Sequence, residues 1–293
     1  MTEPTKLEQS RFHKAREDAG FAKGGVHTPQ TESDSYTLAF QDTDFLLRED
    51  LRPVRFQLEL LKPELLLNEA KIASMLVIYG SARIPEPTMA AERLKLATGD
   101  YEIKVAQRLV AKAKYYDEAR KLGCLASQTP VAANGDRHFV VCSGGGPSIM
   151  EAANRGASDA GAESVGLNIV LPHEQAPNQY VTPDLSFQFH YFALRKMHFL
   201  LRARAVAAFP GGFGTFDETF ELLTLIQTGK IKPMPVLLFG KEFWTRVIDF
   251  DALAEEGVIS PADLSLFRFV ETADEAWDII QKFYADRDED ADA

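Results

Sequence analysis

Cysteine is almost missing from this chain. Cys124 and Cys142 are the two present in 293 residues, and they form no C-x-x-C pair. No disulfide framework or cysteine zinc site follows, and a reducing compartment, the cytoplasm, is the expected setting. Long apolar runs are missing too: no uncharged stretch reaches the roughly 18 residues that a membrane-spanning helix needs. The first residues, Met1-Thr2-Glu3-Pro4-Thr5-Lys6-Leu7-Glu8, do not read as a secretory signal. Positive charge is in deficit, with 32 Lys and Arg against 43 Asp and Glu and a formal net charge of −11. That balance argues against nucleic acid or an acidic membrane as a partner. It leaves a small phosphate ligand open, because such sites use local N–H groups and one or two cations.

Against these absences stands an ordinary globular composition, 45% hydrophobic and 26% charged. Residues 1–73 read as an N-terminal extension. Its first thirty or so residues are polar and expected to be poorly ordered, and residues 36–47 form an apolar arm. Residues 51–73 form one or two helices, interrupted at Pro53 and Pro63. From Ser74 the pattern changes to short apolar runs alternating with amphipathic ones. Strands are expected at 75–79, 138–142, 164–171, 205–209, 235–239 and 266–270. Helices are expected at 89–122 with a break at Gly99-Asp100, and at 148–160, 189–204, 218–227, 241–253 and 274–284. This alternation predicts an α/β fold, a Rossmann-like doubly wound parallel sheet with helices on both faces, over residues 74–285. Residues 286–293 read as an acidic, solvated tail.

Three glycine turns follow strands, at Gly80-Ser81, at Gly144-Gly145-Gly146 and at Gly211-Gly212. In a doubly wound sheet such turns gather at the strand C-terminal edge, where ligands bind. The stretch Pro210-Gly211-Gly212-Phe213-Gly214-Thr215-Phe216-Asp217-Glu218 leads from an apolar strand into a helix. That geometry aims backbone N–H groups and the positive end of a helix dipole at an anion. Two acids, Asp217 and Glu218, read as lying in the first helical turn, which suggests chemistry beside a phosphate. Thr215 as N-cap with Glu218 three residues on also reads as a capping box. The run of three glycines is compatible with a dinucleotide turn, a structural turn or a nucleotide neighbour, and it is not G-x-G-x-x-G. Arg195-Lys196 sit on the 189–204 helix, as either a solvated stripe or a pair of anion ligands. His190 and His198, on the same helix, read as packing or surface residues. Glu174 lies in the long 173–183 loop, by default a surface carboxylate.

The stretch from Pro210 to Glu218 resembles the P-G-G-x-G-T-x-x-E signature of the LOG ("lonely guy") family. These are cytokinin-activating nucleotide phosphoribohydrolases long labelled lysine decarboxylases. Arg195-Lys196 resemble that family's R-K pair, and the turns at Gly80-Ser81 and Gly144–Gly146 its other glycine elements. The resemblance runs from about residue 74 to 284. It implies hydrolysis of the N-glycosidic bond of a purine nucleoside 5′-monophosphate, with Arg195 and Glu218 as the catalytic pair. Gly212, Phe213, Gly214 and Thr215 would hold the phosphate. Lys196, Glu174 and Thr224 would line the substrate, beside Ser81, Gly144, Gly145, Gly146, Gly211 and Asp217. No metal or organic cofactor is implied, and a homodimer or larger homo-oligomer is, with sites completed near the interface. Phe192-Ala193-Leu194 before Arg195, and Asp217 before Glu218, depart from the short members, which makes AMP the expected substrate ahead of a prenylated nucleotide. Two other readings are kept beside this one. One is a non-catalytic nucleotide-binding or sensing module. The other is a pyridoxal-phosphate decarboxylase using Lys196.

Overall fold

A computed structural model describes residues 13–22, 24–172 and 176–291. It divides into two compact units, Met1–Glu59 and Leu60–Ala293. The first holds helices α1 (Ala15–Ala22) and α2 (Thr43–Leu46) and the start of α3 (Arg52–Glu69). Asp42 caps α2 by accepting the Phe45 N–H at 2.8 Å. The expected interruptions of α3 do not occur. Pro53 stands in its first turn, where a missing N–H has no intrahelical partner to lose, and the helix continues through the buried Pro63. Residues 1–12, part of the stretch expected to be poorly ordered, lie outside the described residues.

The second unit is a seven-stranded parallel sheet. Its strands are β1 (Met75–Tyr79), β2 (Val140–Ser143), β3 (Val165–Ile169), β4 (Ser186–Phe189), β5 (Ala203–Ala208), β6 (Val236–Phe239) and β7 (Arg268–Val270), in the order β4-β3-β2-β1-β5-β6-β7. The strands β1, β2, β3 and β6 are buried along their whole length, because helices cover both faces of the sheet. Helices α4 (Pro87–Leu96), α5 (Asp100–Lys112) and α6 (Lys114–Ser127) connect β1 to β2, and α7 (Ile149–Asp159) connects β2 to β3. The break expected at Gly99-Asp100 within 89–122 is present, at Gly99, whose φ of +80° a side chain would strain, and a second break at Ala113, not expected, makes three helices of the stretch. Next come α8 (Phe192–Leu201), α9 (Phe213–Gln227), α10 (Lys241–Val247), α11 (Phe250–Glu255) and α12 (Ala273–Ala291). The main core joins Leu76, Ile78, Val141, Ala205, Ala207 and Leu237 of the sheet to Ala119, Leu122, Ala152, Ala153, Ala276 and Ile280 of the helices.

Strand β4 is absent from the sequence expectation, which placed 186–188 outside any element and opened a helix at 189. Its four residues alternate, with Phe187 and Phe189 buried and Gln188 exposed, so the period is two and not 3.6. Helix α8 therefore begins at Phe192, after His190. At the other end α12 continues to Ala291, through residues read from sequence as a tail. Neighbouring strands β1 and β5 send the chain in opposite directions across the sheet. Their C-terminal ends mark the crevice where this topology places ligands. Among the described residues no helix is long and apolar enough to cross a membrane.

Candidate active site

The crevice is real: a cleft of about 580 Å³ opens at the ends of β1, β2, β3 and β5. Its floor comes from the β1 turn, where the Ser81 N–H donates to Pro210 O at 3.1 Å and ties the first glycine turn to the third. One wall is the start of α9. Gly212, Phe213, Gly214 and Thr215 all line the cleft. Helix α9 begins at Phe213 with Gly212 as its N-cap, and no side chain caps it. The expected capping box is therefore not formed. Thr215 is already in the first turn and buried, with its hydroxyl packed so close to Gly211 that a Cβ there would lie 2.1 Å away. The N–H groups of the first turn have no intrahelical acceptor and carry the positive end of the helix dipole. With the helix starting this early, Asp217 and Glu218 fall in its second turn, not the first. Glu218 is released from capping and turned inward.

Glu218 meets Arg195 there. Arg195 Nη1 donates to Glu218 Oε1 at 3.1 Å, and the two side chains are only 11% and 14% exposed. A second bond, Arg195 Nε to Leu167 O at 2.6 Å, fixes the guanidinium to the middle of β3. Its face lies over the Phe199 ring, 4.9 Å from the centroid. Gly144 is small because Arg195 passes above it: a Cβ would stand 2.7 Å from Nη2 and 2.9 Å from Met150 Sδ. Burial pushes the Glu218 carboxyl up from 4.5 to about 7, with Arg195 opposing the rise and Asp217 adding to it. At neutral pH this acid is divided between its two protonation states. The pair is closed by direct contact, so a ligand would lie over Arg195 and Glu218, not between them.

The remaining expected residues are distributed differently. Ser81 and Gly144 line the cleft. Gly145 and Gly146 stand behind it, and the Asn178 side-chain amide donates to both their carbonyls at 3.1 Å. A buried chain of polar groups holds this turn: Gly145 N–H to Ser143 Oγ, Ser143 Oγ to Asn154 Oδ1, and Asn154 Nδ2 to Ser164 Oγ. Lys196 does not line the cleft, because neighbours on a helix point about 100° apart. Its ammonium lies 2.9 Å from both Asp217 Oδ2 and Glu221 Oε2. Burial alone would ease its proton off, but the hydrogen bonds to Glu221 and Asp217 outweigh it and raise its pKa. Thr224 is exposed, its hydroxyl donating to Phe220 O at 2.8 Å. Glu174 lies outside the described residues.

Other cleft residues were not anticipated. Tyr79, the last residue of β1, is buried and packs edge-on against Phe199 at 5.1 Å. Burial, reinforced by Glu218, holds its phenol well above the usual range. Arg83 adds a second cation, and Met150, Ile169, Leu171 and Phe192 supply apolar wall. The available signal was position: Tyr79 and Arg83 flank the first glycine turn. His198 is buried on α8, against the Phe189 ring and 3.7 Å from Glu64 Oε1, and His190 precedes that helix. Among the described residues no group of three His, Cys, Asp or Glu is placed to hold a metal.

Comparison with known proteins gives the following. Residues 150–280 match the family described as "Possible lysine decarboxylase". Cytokinin riboside 5′-monophosphate phosphoribohydrolase LOG1 of Arabidopsis thaliana is 30% identical over 155 residues, 51% of this chain and 67% of that protein. LOG3 of the same plant, carrying the same enzyme name, is 29% identical over 168 residues, 56% and 73% of the two chains. Among solved structures, the Moco carrier protein of Chlamydomonas reinhardtii is similar at 16% identity and a TM-score of 0.42, covering 73% of this chain and 98% of that one.

Proposed function

Because the chain belongs to the LOG family, we propose that it hydrolyses the N-glycosidic bond of a purine nucleoside 5′-monophosphate, AMP being the first candidate. The products are the free base and ribose 5-phosphate. The observation that carries this reading is the Arg195–Glu218 contact inside a cleft whose wall is the open N-terminus of α9. The 5′-phosphate is assigned to the N–H groups of Phe213, Gly214 and Thr215, with Arg83 as a supplementary cation. The ribose then lies over the carboxylate and guanidinium, and the base against the apolar wall of Tyr79, Met150, Ile169 and Phe199.

The chemistry follows from this placement. The bond from C1′ to the base nitrogen breaks with its electron pair leaving on the base, and the sugar passes through an oxocarbenium-like state. Glu218 in its ionised form stabilises that cation and takes the proton of the water that attacks C1′; that proton then passes to the departed base, which leaves neutral and restores the carboxylate. Arg195, always charged, is held by Leu167 O so that it keeps the carboxylate in place and favours the developing negative charge on the leaving base. A decarboxylase using Lys196 finds no support: an ammonium held between two carboxylates is a poor nucleophile. The homo-oligomer belongs to the same proposal. Lys196 and Thr224 lie outside this cleft, and a second copy would be needed to bring them to a substrate. Light scattering that finds a monomer at micromolar concentration counts against that part.

The test of the reaction is a panel of nucleoside monophosphates assayed for free base. AMP should release adenine, and adenosine, which lacks the phosphate, should not. Equal release from both would remove the phosphate from the recognition and the reading with it.

A further inference from the structure

A second pocket, of about 590 Å³, lies between α5, the start of α6 and α10. Lys104, Arg108 and Lys112 of α5, Lys114 of α6 and Arg246 of α10 line it, with Glu242 as the one acid among them. The first three recur every fourth residue, so they share one helix face and repel one another. Lys114 is paired, with Glu271 at 3.4 Å. Among the described residues no carboxylate lies within 4 Å of Lys104, Arg108, Lys112 or Arg246. This concentration of uncompensated cations occurs in a chain whose formal charge is −11. Its cost is visible at Lys112, whose pKa is lowered by burial first and by Arg108 and Arg246 next, against a smaller opposing pull from Glu242.

A face that repels itself gains when an anion enters it, and the cavity is large enough for more than one phosphate group. The pocket shares no lining residue with the cleft, yet the two have a common wall. Phe243 of the basic pocket stacks on Phe216 of the cleft, with centroids 6.3 Å apart and the planes 2° from parallel. Tyr115, also in the basic pocket, packs edge-on against Phe209, the residue before the Pro210 turn, at 6.5 Å.

We propose that this pocket is a second anion site, separate from the cleft, which takes a small ligand carrying several phosphate charges. The site does not depend on the reaction assigned to the cleft. Inorganic pyrophosphate is the probe, titrated calorimetrically into the full chain at fixed ionic strength. Wild type binds it. The exposed pair Arg108→Gln/Arg246→Gln loses about tenfold or more in affinity. Arg83→Gln, which removes the cation assigned to phosphate in the cleft, retains the binding, and so does Lys230→Gln/Lys232→Gln, which removes the same charge elsewhere. Unchanged melting temperatures show that the variants fold. Undiminished binding by the Arg108/Arg246 variant overturns the proposal. An equal loss in Arg83→Gln or in the Lys230/Lys232 variant also overturns it, since the anion would then be in the cleft or held by net charge alone.

Discussion

Replacing Glu218 by Gln separates catalysis from binding and tests the electrostatics of the cleft in one variant. Gln has nearly the same shape and no charge. The wild-type carboxyl is raised from 4.5 to about 7. A group whose folded-state pKa is above its unfolded value contributes stability that is complete below the unfolded pKa and lost as pH rises through the folded one. Wild type should therefore lose stability between about pH 4.5 and 7 relative to Glu218→Gln, and the difference should level off above that range. The rise corresponds to roughly 3 kcal/mol as an upper figure. Paired urea titrations of the two proteins from pH 4 to 8 measure it, and the other titrating groups cancel in the comparison. The same variant should bind AMP and release no adenine. A stability difference that does not change with pH would refute the burial of a charged Glu218. Adenine release at the wild-type rate would refute its role, and AMP binding without turnover in wild type itself would favour a sensing module.

The pH profile of adenine release should rise through about 7, because the active form of Glu218 is the carboxylate. Its midpoint should move down in Asp217→Asn and up in Lys196→Ala, since Asp217 raises and Lys196 lowers the Glu218 pKa; an unmoved midpoint in both would assign the limb to another group. Lys196→Ala should cost no more than about 1 kcal/mol in urea denaturation, because its carboxylate partners are partly exposed. Gly144→Ala places a Cβ 2.7 Å from Arg195 Nη2 and should cost about 100-fold in kcat with little change in melting temperature. Arg195→Lys keeps the charge but not both anchors, Leu167 O and Glu218; a loss of about 100-fold in kcat is expected, and wild-type turnover would show that charge alone suffices.

What the amino-acid sequence determined by itself is local. The apolar run before Pro210, the glycines after it and the amphipathic run beyond require a strand, a tight turn and a helix, and they are found there. So are the turns at Gly80 and Gly144. Alternating elements of this spacing leave few options besides a parallel sheet with crossovers, and the ends of its strands had to form the crevice. Strand β4 escaped because four residues before a helix give too few periods to tell two from 3.6. The tertiary structure decided the rest. Arg195 and Lys196 are adjacent in sequence and of one charge, and only the docking of α8 on β3 sends one to Leu167 O and the other to Asp217 and Glu221. Helix α9 begins at Phe213 because Thr215 packs into Gly211, and that early start turns Glu218 from a cap into a buried acid. The burial that raises its pKa, and the crowding of Lys112 by Arg246, depend on groups far apart in the chain. A pattern of residue types carries no record of which distant side chains will share a wall.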